Sequence, residues 1–115
     1  MAQTFDEAEL MARVDHDRQF LAETVEMLTS DAPKLVEELR RALAGGDAPA
    51  VGRLAHSLKG MVSNFCAPQA QASALELERL GKGGDLSLAE PALSSLEQHV
   101  GALTSELRNF IGAAS

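Results

Sequence analysis

The sequence predicts an all-α protein, an antiparallel up-down four-helix bundle with a short extra helix at its N-terminus. Three observations carry this. Four long runs repeat apolar residues at three- and four-residue steps, the spacing of one helix face. Gly- or Pro-marked breaks separate the runs and leave only short connections, which pair helices antiparallel. Leucine and alanine dominate a chain that is 45% hydrophobic with 3% aromatic residues and no Trp or Tyr. Both residues favour helix, and no stretch alternates as a strand would.

Each element follows from its own residues. Thr4 or Asp6 opens a short first helix that ends near Val14, where Asp15-His16-Asp17 interrupts it. Leu21, Val25, Leu28, Ala32, Leu35 and Leu39 then step by 4, 3, 4, 3 and 4. The register runs unbroken across Pro33, which favours one long kinked helix over two, although an interior proline costs about 3 kcal/mol. Gly45-Gly46 ends it, and Asp47 caps the next helix with Pro49 in its first turn. That third helix runs to about Phe65, with Val51, Leu54, Ala55, Leu58, Met61, Val62 and Phe65 on one stripe. Pro68 starts a fourth with Ala70, Ala74 and Leu77 inward, closed by Gly81, Gly83 and Gly84. The last helix carries Leu93, Leu96, Val100, Leu103, Leu107 and Phe110, with Pro91 near its start.

The bulk properties exclude several classes of function. At 115 residues the chain (1–115) is expected to be a single domain with one real core. A net charge of −7, with Arg40-Arg41 the sole basic pair, argues against nucleic acid, whose binding needs concentrated basic surface. No stretch is long and apolar enough to insert in a membrane, and Thr4-Phe5-Asp6-Glu7 is acidic where a signal peptide is basic. A single cysteine leaves no internal disulfide and suits the cytoplasm. A monomer is the default expectation. No Cys/His metal spacing occurs, and the inward positions are apolar, so no interior cofactor or metal set is expected.

One residue stands out as chemistry. At about 100° per residue, His56 lies roughly 160° from the centre of its helix's apolar stripe. Gly52 and Gly60 fall one turn either side of it, with Lys59 at i+3 and Ser63 at i+7; Arg53 flanks the same face. An interior helical glycine costs roughly 0.5–1 kcal/mol relative to alanine, so two beside one histidine suggest an approach kept clear for a large partner. Lys59 is suited to neutralise an anion on the ring; otherwise it is an ordinary exposed lysine. Ser63 reads as a small side chain that permits docking. His16, between two aspartates in a turn, and His99, at the edge of the last helix's stripe, have no such surround.

The run Leu54-Ala55-His56-Ser57-Leu58-Lys59-Gly60, followed by Ser63-Asn64-Phe65-Cys66-Ala67, resembles the signature of histidine-containing phosphotransfer (HPt) domains. The likeness extends upstream through Asp31-Ala32-Pro33 and Ala42-Leu43-Ala44-Gly45-Gly46-Asp47, and downstream from Leu77-Glu78 to Gly84-Asp85. It implies a four-helix bundle and a phosphorelay carrier. His56 would accept a phosphoryl group from a receiver-domain aspartate or a kinase and pass it to another receiver aspartate. The partners implied are response-regulator receiver domains and a hybrid sensor histidine kinase. No cofactor is expected in this chain, and Mg²⁺ is expected in the receiver. The chain would be a carrier and substrate, not an enzyme, since nothing in it resembles a nucleotide-binding loop. Cys66 departs from the glycine common at that point of the family, a change that bears on the local turn geometry and not on the chemistry.

Glu78, twenty-two residues after His56, stands where some members have a glutamine that contacts the imidazole. Its place beside the inward stripe lets it accept from the ring, but pairing with Lys59 or an arginine is equally open. Leu75 lies about 160° from its helix's inward stripe and one turn from Glu78, a candidate apolar contact for a partner. The alternative to phosphotransfer is a non-catalytic helical adaptor or scaffold in which His56 is incidental.

Overall fold

The computed structural model describes residues 4–112. Among them the chain forms five helices and no strand: α1 (Glu7–Arg13), α2 (Arg18–Ala44), α3 (Ala48–Ser63), α4 (Pro68–Gly83) and α5 (Ala89–Gly112). The caps lie where short polar residues precede apolar runs. Asp6, Asp17 and Asp47 each accept a backbone N–H three residues on, from Glu9, Phe20 and Ala50 at 3.0, 3.0 and 3.2 Å. Gly84, in the left-handed region at φ +79°, ends α4.

Helices α2 to α5 close a ring in which α2 packs on α3, α3 on α4, α4 on α5, and α5 back on α2. Their apolar stripes meet along the axis, where Leu21, Leu28, Leu39, Leu58, Leu77, Leu96, Leu103 and Leu107 are fully buried. The α2 helix passes through Pro33 without interruption, as its register requires. Just beyond the proline, Val36 rather than Leu35 takes the buried place, and Leu35 sits half-buried at the edge.

The short α1 is tied across one end of the bundle. Asp6 N–H donates to the Cys66 carbonyl at 3.0 Å, and Arg13 donates to the Ser63 carbonyl at 3.0 Å, in the last turn of α3, where Cys66 N–H makes only a long bond of 3.5 Å to the same oxygen. Ahead of it, Phe5 meets Phe110 edge-on at 5.5 Å, and the Arg18 guanidinium lies 4.9 Å over the Phe110 ring. The turn from α3 to α4 runs through Cys66 at φ +55°. A side chain there carries strain on the order of 1 kcal/mol, the cost glycine avoids. The thiol is buried, which pushes its pKa up.

Candidate functional site

His56 lies in the middle of α3 with its side chain 65% exposed, on the face away from the core stripe of Val51, Ala55, Leu58 and Val62. Its Nδ1 is 3.0 Å from Oε2 of Glu78, which reaches across from α4. A carboxylate only accepts hydrogen bonds, so Nδ1 carries the proton and donates it. That arrangement leaves Nε2 with the free lone pair.

Glu78 is itself buried, its side chain 4% exposed, although its helix places it at the edge of the apolar stripe. A buried carboxylate is sustained only by charge and hydrogen-bond partners. Two lysines supply them. Lys59, one turn beyond His56 on α3, brings Nζ to 2.7 Å from Oε1. Lys82, one turn beyond Glu78 on α4, brings Nζ to 2.7 Å from Oε2. Lys59 first, then Lys82, hold the Glu78 carboxyl down at about 2; burial works against them, and the ring adds a smaller push in their direction. The carboxylate is therefore ionised throughout the range in which an imidazole titrates.

The two open readings of Glu78 are thus both realised, since one carboxylate serves the ring and Lys59 together. Lys59 is correspondingly not a free ammonium waiting on an exposed face: it is three-quarters buried and already paired. Nor is it the one cation near the ring. Lys82, which periodicity within α3 cannot reveal, stands beside His56 from the neighbouring helix, 70% exposed.

Gly60 keeps its expected place. It is exposed, and a methyl added there would meet nothing within 4 Å. Gly52 does not. It is buried, because its bare backbone faces α4, where the nearest atoms to an added methyl are Lys82 N and Gly81 C at 3.5 and 3.6 Å. Its absent side chain serves helix packing, and it reaches the surface only as the floor of a hollow. That hollow, about 470 Å³ and lined also by Pro49, Arg53, Ser57 and Lys82, opens directly beside His56. Arg53 is exposed at its rim. Ser63 donates to the Gly60 carbonyl at 2.7 Å, satisfying the backbone within the last turns of α3. Leu75 is half-buried rather than exposed, which corrects its expected position. An apolar groove of similar volume, about 480 Å³ and lined by Phe20, Met27 and Met61, lies between α1, α2 and α3 and does not include His56.

The other histidines lack this surround. His16 is exposed in the α1–α2 turn at φ +58°. His99 is half-buried on α5 and pairs through Nδ1 with Ser73 of α4. Among the described residues no group of three or more His, Cys, Asp or Glu is placed to hold a metal ion, and no helix is long and apolar enough to cross a membrane.

The sequence profile of the Hpt domain matches residues 23–110, which spans all of α3 and α4. The chain belongs to the Hpt domain family. Hpt domains are phosphotransfer carriers of phosphorelays rather than classical enzymes, working between histidine kinases and receiver domains, and this chain is such a carrier. Two solved structures share its fold. The crystal structure of histidine-containing phosphotransfer protein B (HptB) from Pseudomonas aeruginosa PAO1 superposes with a TM-score of 0.90 at 23% identity, covering 98% of each chain. The HPT domain of a sensor hybrid histidine kinase from Shewanella gives 0.79 at 21% identity, covering 96% of this chain and 95% of that one. No curated protein sequence matches the chain at a significant level.

Proposed function

We propose that His56 is the phosphoacceptor of this Hpt domain and that Nε2 is the atom that carries the group. The observation behind this reading is the contact of Nδ1 with an ionised, buried Glu78. With Nδ1 protonated, the Nε2 lone pair attacks the phosphorus of a receiver's aspartyl phosphate. The N–P bond forms as the bond from phosphorus to the carboxyl oxygen breaks, and the aspartate leaves as its carboxylate. The proton stays on Nδ1, so the phosphorylated ring is cationic, and the Glu78 carboxylate offsets that charge. Transfer onward releases the ring as neutral imidazole, a good leaving group, with its Nδ1 proton still in place. The same contact therefore serves both directions.

Lys59 and Lys82 border the position the phosphoryl oxygens would take, and a phosphoryl group carries nearly two negative charges at neutral pH. Gly60 and Ser63 keep that side of α3 low for an approaching partner, and Arg53 stands at its margin. The phosphoryl donor or acceptor is a receiver domain that brings its own Mg²⁺, or a hybrid sensor kinase, acting on a monomeric chain in the cytoplasm. The test is incubation with receiver domains phosphorylated with labelled phosphate. Acid-labile, base-stable label mapped to the His56 peptide supports the assignment. Failure with several receivers would leave a helical scaffold instead.

A further inference from the structure

The contact that brings Glu78 and Lys82 to His56 has a narrow geometric basis one turn away. Gly81 lies inside α4, is buried, and faces Gly52 of α3. A methyl group on Gly81 would stand 2.4 Å from Gly52 N, 2.7 Å from Gly52 Cα and 2.9 Å from the Ala48 carbonyl oxygen. All three are backbone atoms, which cannot swing aside as a side chain can. Glycine is otherwise among the weakest helix formers, and a buried helical site with room to spare favours alanine. The opposite glycine is less constrained, since a methyl on Gly52 meets its nearest atoms at ordinary packing distances of 3.5–3.6 Å.

The two helices run antiparallel, so the register of this crossing fixes that of the site. Gly52 opposes Gly81; one turn along α3 and one turn back along α4, His56 opposes Glu78, while Lys82 directly follows Gly81. We infer that Gly81 is a positioning residue for phosphotransfer, whose missing side chain sets the approach of α4 to α3 at which Glu78 and Lys82 reach the ring. The inference rests on the reading of His56 as phosphoacceptor. Restoring normal carbon–carbon separation of about 3.5–4.0 Å at Gly81 requires the α4 turn to retreat by roughly 1 Å. A contact of 3.0 Å between Nδ1 and Oε2, lengthened by that amount, is no longer a hydrogen bond.

Gly81→Ala tests this with readouts that do not depend on a partner. In the parent protein, ¹⁵N shifts of the His56 ring are expected to report a protonated Nδ1 and an unprotonated Nε2, and the ¹³C signal of the Glu78 carboxyl to titrate at about 2. In Gly81→Ala the ring is expected to average between tautomers, and the carboxyl to titrate closer to its ordinary value. Transfer from a phosphorylated receiver should fall roughly tenfold or more, as misplacement near 1 Å does. Gly52→Ala should leave the ring and carboxyl signals as they are. Gly52→Val presses on the same contact from α3 and should give an intermediate shift, which decides the matter if Gly81→Ala does not fold. Parent-like ring and carboxyl signals in a folded Gly81→Ala, or in Gly52→Val where that is the variant that folds, overturn the inference. Absence of label on His56 in the parent protein would instead overturn the phosphoacceptor reading and leave the ring signals untouched.

Discussion

Gly60→Gln should raise stability and lower transfer at once, a combination that few surface substitutions produce. Gly60 is exposed on α3, one turn beyond His56, and open space surrounds the position of an added methyl. The folded state therefore accepts the side chain without strain, and the gain comes from helix propensity and from a less flexible unfolded chain. Glycine stands about 1 kcal/mol below alanine and glutamine only a few tenths below, so the net gain is about 0.5 kcal/mol. For 115 residues, at roughly 2.1 cal/mol/K of unfolding entropy per residue, that raises the thermal midpoint by about 2 °C. The same side chain occupies space beside the ring through which a receiver must bring its aspartate into line with Nε2. A displacement near 1 Å costs on the order of a hundredfold in rate, so a ten- to hundredfold slowing is expected. Circular dichroism melts give the first quantity, and single-turnover transfer from a phosphorylated receiver gives the second. A variant that melts higher and transfers at the parent rate would show that no partner approaches over Gly60.

Three further outcomes follow from the site. His56→Gln should abolish labelling while shifting the midpoint by no more than about 2 °C, since the side chain is 65% exposed and such changes stay within about 0.5 kcal/mol; label remaining on His16 or His99 would refute the assignment. Lys59→Ala should accept phosphate several-fold more slowly or lose it sooner, with the difference shrinking at high salt, because Lys82 remains beside the ring; the Glu78 carboxyl, released from its strongest partner, should titrate upward from about 2 in a ¹³C titration. Glu78→Gln should still be labelled, because an amide oxygen also accepts from Nδ1. It should melt below the parent at neutral pH: a carboxyl depressed in the fold stabilises above its ordinary 4.5 and loses that contribution as pH falls toward about 2. The gap between the two melting curves should close across that window, and a constant gap would mean the lysine pairs contribute nothing.

The bundle was legible because its signals are local and redundant. In α5, five of the six stripe residues are buried and the sixth, Phe110, is half-buried, and Asp47 with Pro49 marks the start of α3 within a residue. The unbroken register across Pro33 identified one helix where the proline alone suggested two. Small errors arose where two neighbours compete for one stripe, as Leu35 and Val36 do. His56 was legible for the same reason, since helical phase says directly which side chain points away from the core.

The surroundings of His56 were less legible because they come from a second helix. Phase within α3 gives the direction of Gly52 but not the position of α4, and a glycine is the residue for which that omission matters most. A missing side chain clears a surface for a partner and equally lets another backbone close in, and the two cannot be told apart from one strand of sequence. Gly60 and Gly52 flank the same ring at the same spacing, yet the first faces open space and the second faces Gly81. Lys82 is hidden from the sequence on the same ground. It is four residues from Glu78, so a pair between them was within reach of the sequence, but its nearness to His56 depends on the α3–α4 crossing. Once Gly81 lets that crossing close, the buried carboxylate, both lysines and the ring follow from it together, because an ionised Glu78 at that depth requires the cations that the crossing delivers.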